Sequence, residues 1–154
     1  MAKILITDDE KSVRNVLSEM FIKMGHEVKT AFNGTEALRL FAEKHFDLVT
    51  TDLRMPVMDG FILASHIKGK SPETPVILIT GDASKVKFEK TKHGHIDCVL
   101  LKPFTFQTLE KATNKLLCSD VSRQKKEQSM MIWEELDAMQ FPNFPTSKQH
   151  QHRP

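Results

Sequence analysis

The stretch Val76-Ile77-Leu78-Ile79-Thr80-Gly81 decides the fold of this chain. Four consecutive apolar residues favour a β-strand that is buried on both faces. Strands of this kind occur in parallel sheets, because the helices that connect parallel strands cover both faces of the sheet. The stretch therefore predicts one strand of a helix-covered parallel sheet, and Thr80 stands where that strand ends.

Similar short apolar runs recur along the chain, separated by amphipathic stretches. They lie at residues 4–6, 48–49 and 98–101, and a weaker alternating segment lies around residues 28–31. Alternation of strand and helix signals predicts an α/β domain with an open, doubly wound sheet. In such sheets the ligand site lies beyond the carboxyl ends of the strands.

The connecting stretches predict helices. Apolar residues at helical spacing predict a first helix that ends before Gly25; they are Val13, Val16, Leu17, Met20, Phe21 and Met24. A second helix follows Asn33 and Gly34, with Thr35 as its N-cap, and a third runs from about Gly60 to Gly69. Residues 82–93 contain few apolar positions and four lysines, which predicts the least stable helix. The last helix begins near Thr105, and its predicted buried residues are Leu109, Ala112, Leu116 and Leu117.

Length and composition predict one domain with an appendage. A chain of 154 residues with 40% hydrophobic content is long enough for one well-buried domain and too short for two of ordinary size. We assign residues 1–118 to the domain and residues 119–154 to a C-terminal extension. The formal net charge of +2 provides no overall field that would favour nucleic acid or an anionic membrane, so we expect neither direct DNA binding nor membrane association.

The sequence predicts a cytoplasmic protein. The start of the chain lacks the long apolar core of a signal peptide, and no apolar run approaches the roughly 20 residues of a membrane helix. Cys98 and Cys118 form no CxxC pair, so we expect reduced cysteines that serve in packing.

Five polar residues follow the predicted strands: Asp8 and Asp9 after the first, Asp52 after the third, Thr80 after the fourth and Lys102 after the last. Three carboxylates close together repel one another unless a cation neutralises them. Hard oxygen ligands in a partly open site suit Mg²⁺, for which Mn²⁺ can substitute. Each residue alone has an ordinary structural explanation, but their arrangement at successive strand ends favours one site.

The residue types indicate phosphoryl transfer. A carboxylate beside Mg²⁺ can attack phosphorus, and Asp52 is the candidate nucleophile. The Lys102 ammonium would stabilise the phosphoryl oxygens, and the Thr80 hydroxyl can donate to one of them. Lys102-Pro103 adds a constrained turn in which the peptide bond can be cis.

The motifs around these residues resemble those of the response-regulator receiver domain of bacterial two-component signalling. They are Ile4-Leu5-Ile6-Thr7-Asp8-Asp9-Glu10, the stretch from Thr51-Asp52-Leu53-Arg54 to Asp59-Gly60, Val76 to Gly81, and Leu101-Lys102-Pro103-Phe104. The resemblance covers residues 3–117. It implies a flavodoxin-like fold, with a five-stranded parallel sheet flanked by five helices. It also implies phosphotransfer from a sensor histidine kinase or histidine phosphotransfer protein, followed by slow self-catalysed hydrolysis.

The same resemblance implies roles for individual residues. Asp9, Asp52 and the Arg54 backbone carbonyl would bind Mg²⁺, and Asp8 would do so through water. Gly81 would leave the phosphate accessible, and Gly60 would serve the turn after the active-site loop.

Two positions separate this chain from the usual receiver pattern. Val99 stands where receivers commonly carry a Phe or Tyr that reports the movement of the threonine, so the usual aromatic readout through that surface is missing. Arg54 and Asp82 lie two residues after Asp52 and Thr80, where side chains overhang the site. We hypothesise that Arg54 shields the acyl phosphate from water; the alternative is that Arg54 is solvated or paired with Asp82.

The extension has its own pattern. Met130, Met131, Ile132, Trp133, Leu136 and Met139 predict an amphipathic helix at about residues 123–140, followed by a polar tail. This helix would pack on the domain, form a homodimer or bind a partner. The extension is too short for a DNA-binding or catalytic effector domain.

The leading interpretation is a stand-alone receiver that relays phosphate or switches the binding of a downstream protein, and not a conventional enzyme. One alternative is a pseudo-receiver scaffold that works without phosphorylation. A second alternative is an aspartate-nucleophile phosphatase of the haloacid-dehalogenase type. Such an enzyme needs a second catalytic Asp two residues after the nucleophile, and because this chain has Arg54 there, the sequence disfavours this alternative. A receiver fragment of a longer regulator is a further alternative.

Overall fold

Five parallel strands form one sheet in the computed structural model, which describes residues 1–84, 86 and 94–118. The strands are β1 (Lys3–Thr7), β2 (Glu27–Ala31), β3 (Leu48–Thr51), β4 (Val76–Thr80) and β5 (Cys98–Leu101). Their order is β2-β1-β3-β4-β5, which confirms the predicted doubly wound parallel sheet. From β1 the chain first adds β2 on one side of β1, and then adds β3, β4 and β5 in turn on the other side. The direction in which strands are added therefore reverses between β1 and β3. The crevice of an open α/β sheet lies at this reversal, beyond the carboxyl ends of the strands.

Four helices connect or follow these strands in the described part of the chain. They are α1 (Lys11–Lys23), α2 (Gly34–Glu43), α3 (Gly60–Lys70) and α4 (Phe106–Leu117). Of the predicted helix at 82–93, only Ala83, Ser84 and Val86 are described as helical. The extension, including the helix predicted at about residues 123–140, lies outside the described residues. No described helix combines the length and apolar character needed to cross a bilayer.

Each face of the sheet has its own apolar core. One face presents Leu5, Val49, Leu78 and Val99 to α2 and α3, and the other presents Ile4, Ile6, Leu48, Ile77 and Ile79 to α1 and α4. Neighbouring residues of one strand point to opposite faces, so a strand covered on both sides has to be apolar throughout. The burial of every residue in Val76–Thr80 follows from this requirement.

Three local predictions are wrong. The N-cap of α2 is Asn33 and not Thr35, because the Asn33 side chain accepts a hydrogen bond from the Glu36 amide at 2.8 Å. Val16 is 50% exposed, since it lies beside and not within the α1 stripe that buries Leu17 and Phe21. Cys118 is an exposed free thiol that follows the end of α4, whereas Cys98 is buried as predicted.

Gly60 brings the start of α3 against the end of β3. Its amide donates a hydrogen bond to the Leu53 carbonyl at 2.8 Å. A Cβ atom at this position would lie 2.3 Å from the Asp52 carbonyl oxygen and 2.8 Å from a Leu78 methyl carbon. Only glycine allows this approach, so Gly60 fixes the backbone that carries Asp52.

Candidate functional site

The carboxyl ends of four strands bring the five predicted polar residues to one edge of the sheet. Backbone hydrogen bonds tie each of three segments to a neighbouring strand. The Asp8 amide donates to the Ala31 carbonyl at 3.2 Å, the Asp52 amide to the Thr7 carbonyl at 3.0 Å, and the Lys102 amide to the Thr80 carbonyl at 2.9 Å. The sheet itself therefore sets the separation of these side chains.

Asp8, Asp9 and Asp52 form a carboxylate cluster. One oxygen from each residue lies within 4.8 Å of the other two. Asp8 is buried, Asp52 is partly buried and Asp9 is exposed. Backbone amides orient the two inner carboxylates, since Glu10 N–H donates to Asp8 Oδ1 at 2.9 Å and Leu53 N–H donates to Asp52 Oδ1 at 2.8 Å.

The Lys102 ammonium lies between the two inner carboxylates. Its Nζ atom is 3.4 Å from Asp8 Oδ2 and 3.8 Å from Asp52 Oδ1. The Lys102-Pro103 peptide bond that follows is cis. One ammonium cannot balance three carboxylates, so the cluster retains negative charge when all three are ionised.

Burial and repulsion both act on the proton affinity of the cluster. Burial raises the pKa of Asp52 to about 6; repulsion from Asp8 and Asp9 adds to this rise, while Lys102 and the Leu53 amide oppose it. Burial also raises the pKa of Asp8. A cation bound by these oxygens would offset the same repulsion, and hard oxygen ligands of this kind fit Mg²⁺.

Thr80 ends β4 and Gly81 follows it, while Val99 lies on β5 beside Leu78 of β4. Thr80 is buried, and its hydroxyl oxygen accepts a hydrogen bond from the Asp82 amide at 3.1 Å. A Cβ atom on Gly81 would have no atom within 4 Å, so open space adjoins this position. Val99 is buried in the core beneath α2 and α3, in the same cluster as Leu78.

An ion pair joins the loops that follow β3 and β4. Arg54 Nη2 contacts Asp82 Oδ2, and Ser84 Oγ donates to the other Asp82 oxygen at 2.8 Å. The structure shows Arg54 paired with Asp82, which is the alternative to shielding that the sequence left open. Because this pair joins the two loops that border the site, the shielding hypothesis now applies to the pair and stays a prediction. The role of the Arg54 backbone carbonyl as a metal ligand stays a prediction.

Arg14 is a residue that sequence reasoning missed. Its Nη1 atom donates to the Asp8 backbone carbonyl at 2.7 Å, so α1 supports the loop that carries two of the carboxylates. Helical side chains tilt toward the helix N-terminus, which brings Arg14 back toward the end of β1. That tilt is a weak signal, because it applies to every residue in the first turns of a helix.

We predict that Asp52→Asn raises the free energy of unfolding at pH 7.5 without divalent cations. The pKa of Asp52 is higher in the folded state than its ordinary value of 3.8, so its contribution to stability is present below pH 4 and is lost as the pH rises through about 6. The amide variant has no carboxyl to ionise at this position, so it does not lose stability in this way over this pH range. We expect a gain of roughly 1 to 3 kcal/mol, because one pKa unit corresponds to about 1.4 kcal/mol. Denaturant unfolding in EDTA between pH 4 and 8 measures the difference.

Asp47→Asn is the matched control, with the opposite expected sign. The Lys3 amide donates to Asp47 at 2.8 Å and lowers the pKa of that carboxyl, and His45 lowers it further. Its stabilising contribution is present above pH 4 and is lost as the pH falls through the lowered pKa, so the amide variant should be less stable at pH 7.5. An Asp52→Asn variant whose stability relative to wild type is the same at pH 4 and pH 7.5 would contradict our account of the cluster.

The fold and the site match known proteins. The sequence-family model for the response regulator receiver domain matches residues 4–114 of this chain. Regulatory protein AtoC of Escherichia coli is 40% identical over 116 residues, which are 75% of this chain and 25% of that protein. Sensor histidine kinase RcsC of E. coli is 32% identical over 107 residues, which are 70% of this chain and 11% of that protein. The chain therefore spans a quarter or less of the length of these two relatives.

Solved structures agree with this assignment. The chemotaxis response regulator CheY4 of Vibrio cholerae superposes with a TM-score of 0.69 at 35% identity, covering 76% of this chain and 99% of that one. Response regulator protein TrrA of Thermotoga maritima, in complex with Mg²⁺-BeF, superposes with a TM-score of 0.71 at 35% identity, covering 76% of this chain and 100% of that one. From the family match, the parallel sheet and the strand-end residues together, we conclude that this chain belongs to the response regulator receiver domain family of two-component signalling.

Proposed function

We propose that the chain is a phosphorylation-dependent switch in which Asp52 accepts a phosphoryl group from a histidine kinase or a histidine phosphotransfer protein. The observation that carries this proposal is the carboxylate cluster itself. Three carboxylate oxygens lie within 4.8 Å of one another, and the Lys102 ammonium is 3.8 Å from Asp52. Such an arrangement favours a bound cation and a phosphoryl group that Lys102 can neutralise.

The Asp52 carboxylate is the nucleophile in this proposal. One of its oxygens attacks the phosphorus of a phosphohistidine, the P–N bond breaks, and the imidazole leaves with the electron pair of that bond. The product is an acyl phosphate on Asp52, which water later hydrolyses. Bound Mg²⁺, held by Asp9, Asp52 and the Arg54 carbonyl with Asp8 acting through water, would supply neutralising positive charge. Lys102 and the Thr80 hydroxyl would stabilise the phosphoryl oxygens.

Thr80 and Arg54 offer a route from the site to a downstream protein partner. The Thr80 hydroxyl accepts from the Asp82 amide, and the Asp82 side chain pairs with Arg54. Movement of Thr80 toward a phosphoryl group would disturb both contacts, although Val99 provides no aromatic ring to report it. Phosphorylation would then shift the population between two arrangements, which a partner distinguishes. The chain would act as a switch without turnover of a separate substrate, and without direct DNA binding.

The proposed function predicts phosphorylation of Asp52. Incubation with Mg²⁺ and acetyl phosphate should increase the intact mass by one phosphoryl group, about 80 Da. The gain should disappear in EDTA and in Asp52→Ala, because the reaction needs both the cation and the nucleophile. Intact-mass spectrometry measures the modified fraction.

Asp59→Ala is a suitable control, because Asp59 lies in the same loop but caps α3 by accepting from the Ile62 amide at 2.9 Å. It should still be phosphorylated. A folded wild-type chain that gains no mass from acetyl phosphate or from a phosphohistidine protein would favour a scaffold that works without phosphorylation.

The position of Arg54 predicts the lifetime of the acyl phosphate. We expect Arg54→Ala to lose phosphate several-fold faster than wild type, because the Arg54–Asp82 pair joins two loops at the site and would limit the approach of water. The decay of the phosphorylated mass after removal of acetyl phosphate gives both rates.

Arg39→Ala is the matched control, since Arg39 is an exposed arginine that pairs with Glu43 on α2, at 3.2 Å. It should decay at the wild-type rate. Unchanged or slower decay in Arg54→Ala would show that Arg54 does not protect the phosphate.

A further inference from the structure

A groove with a basic rim and an aromatic floor lies at the amino-terminal ends of the strands, on the opposite edge of the sheet from Asp52. Two adjoining cavities of about 480 and 330 Å³ form it, and they share Lys44, His45 and Phe46. We call it the basic groove and define it by Phe41, Phe46, Lys3, Lys29, Lys44 and Lys70. Lys3 begins β1, and Phe46 precedes β3.

The groove suits an acidic segment with apolar side chains. Its four lysines are exposed, and Glu27 is the single carboxylate among the residues that line the two cavities. Among the described residues, no carboxylate lies within ion-pair distance of Lys29, Lys44 or Lys70. The rings of Phe41 and Phe46 are stacked, with centroids 6.3 Å apart and planes at 15°. Phe46 is buried in the core and Phe41 is partly buried, so Phe41 provides the accessible aromatic surface.

The extension contains a segment of matching chemistry. Residues 130–139 carry six large apolar side chains and Ala138 together with Glu134, Glu135 and Asp137, and they include no lysine or arginine. The apolar residues recur at helical spacing, so the segment predicts one apolar face beside a negative charge. Its charge complements that of the basic groove.

The chain can reach the groove. The last helix, α4, begins after β5 and its 12 residues span roughly 18 Å, about the length of a strand, so it returns toward the amino ends of the strands. It packs on the opposite face of the sheet from Phe41 and Phe46, so the connection must also pass around the sheet. Trp133 follows Cys118 by 15 residues. A connection of this length spans roughly 20 Å as a helix and up to about 50 Å when extended, whereas the radius of gyration of a 100-residue domain is about 13 Å.

We propose that residues 130–139 bind in the basic groove of the same molecule, with Trp133 against the partly buried Phe41 ring and the carboxylates near Lys44 and Lys70. Burial of an indole ring on an aromatic floor would supply apolar contact, and the partly desolvated ion pairs would set the orientation of the segment. The bound segment would leave the Asp52 edge of the sheet open. A protein that binds this groove would have to displace the extension.

Trp133 is the only tryptophan of the chain, so tryptophan fluorescence reports on this segment alone. In the full chain we expect a blue-shifted emission and weak quenching by acrylamide. Lys44→Glu/Lys70→Glu should shift the emission to the red and strengthen quenching several-fold. Further addition of Glu134→Lys/Glu135→Lys should restore the wild-type signal, because the charges are then exchanged.

Lys23→Glu/Lys111→Glu is the control with the same change in net charge, on exposed positions of α1 and α4. It should leave the emission unchanged, and circular dichroism checks that each variant is folded. Three results would overturn the proposal. They are a wild-type Trp133 that is already open to acrylamide, a groove variant with unchanged protection, and protection that disappears on dilution, which would indicate a second copy as the binding partner.

Discussion

Repulsion among three carboxylates is the constraint on which the rest of the site depends. At an effective dielectric constant of about 20, two unit charges 4 Å apart repel by about 4 kcal/mol, so side chains free to move would separate. The fold prevents this separation, because the Asp8 and Asp52 amides are bonded to neighbouring strands and Gly60 holds the Asp52 backbone from the other side. Burial is the main cause of the raised pKa of Asp52, and repulsion from Asp8 and Asp9 adds to it. A bound cation would offset this repulsion and so stabilise the folded protein.

The sheet places two different surfaces at its two edges. At the carboxyl ends of the strands lie the carboxylates, Lys102 and Thr80, while at the amino ends lie the lysines and aromatic rings of the basic groove. The loop-bridging pair of Arg54 and Asp82 belongs to the first edge and contacts Thr80 through the Asp82 amide. In the proposed function, a signal that begins at Asp52 would have a local route through Asp82, whereas the basic groove lies at the opposite ends of the strands.

The convergence of the predicted polar residues could be read from the sequence because it depends on topology. Parallel strands end at one edge, so the polar residues after four apolar runs had to converge, and each run is apolar because helices cover both faces. Prediction from the sequence was wrong or incomplete where a structural feature depends on a single contact. The Asn33 cap depends on one side-chain hydrogen bond. The exposure of Val16 depends on which side of α1 faces the sheet. The contact of Arg14 with the Asp8 carbonyl depends on the direction of one side chain. Pairing of Arg54 with Asp82 depends on the packing of two loops far apart in sequence, for which a single sequence gives no distance.

The most direct test of the central claim, that Asp8, Asp9 and Asp52 form one cation site, is the change in the free energy of unfolding on addition of Mg²⁺. A ligand that binds only the folded state stabilises it by about 3 kcal/mol at a concentration roughly 100-fold above Kd. We expect a rise of this kind in wild type, and little or none in Asp9→Asn and Asp52→Asn. Absence of Mg²⁺-dependent stabilisation in wild type, or an equal rise in all three proteins, would contradict the claim.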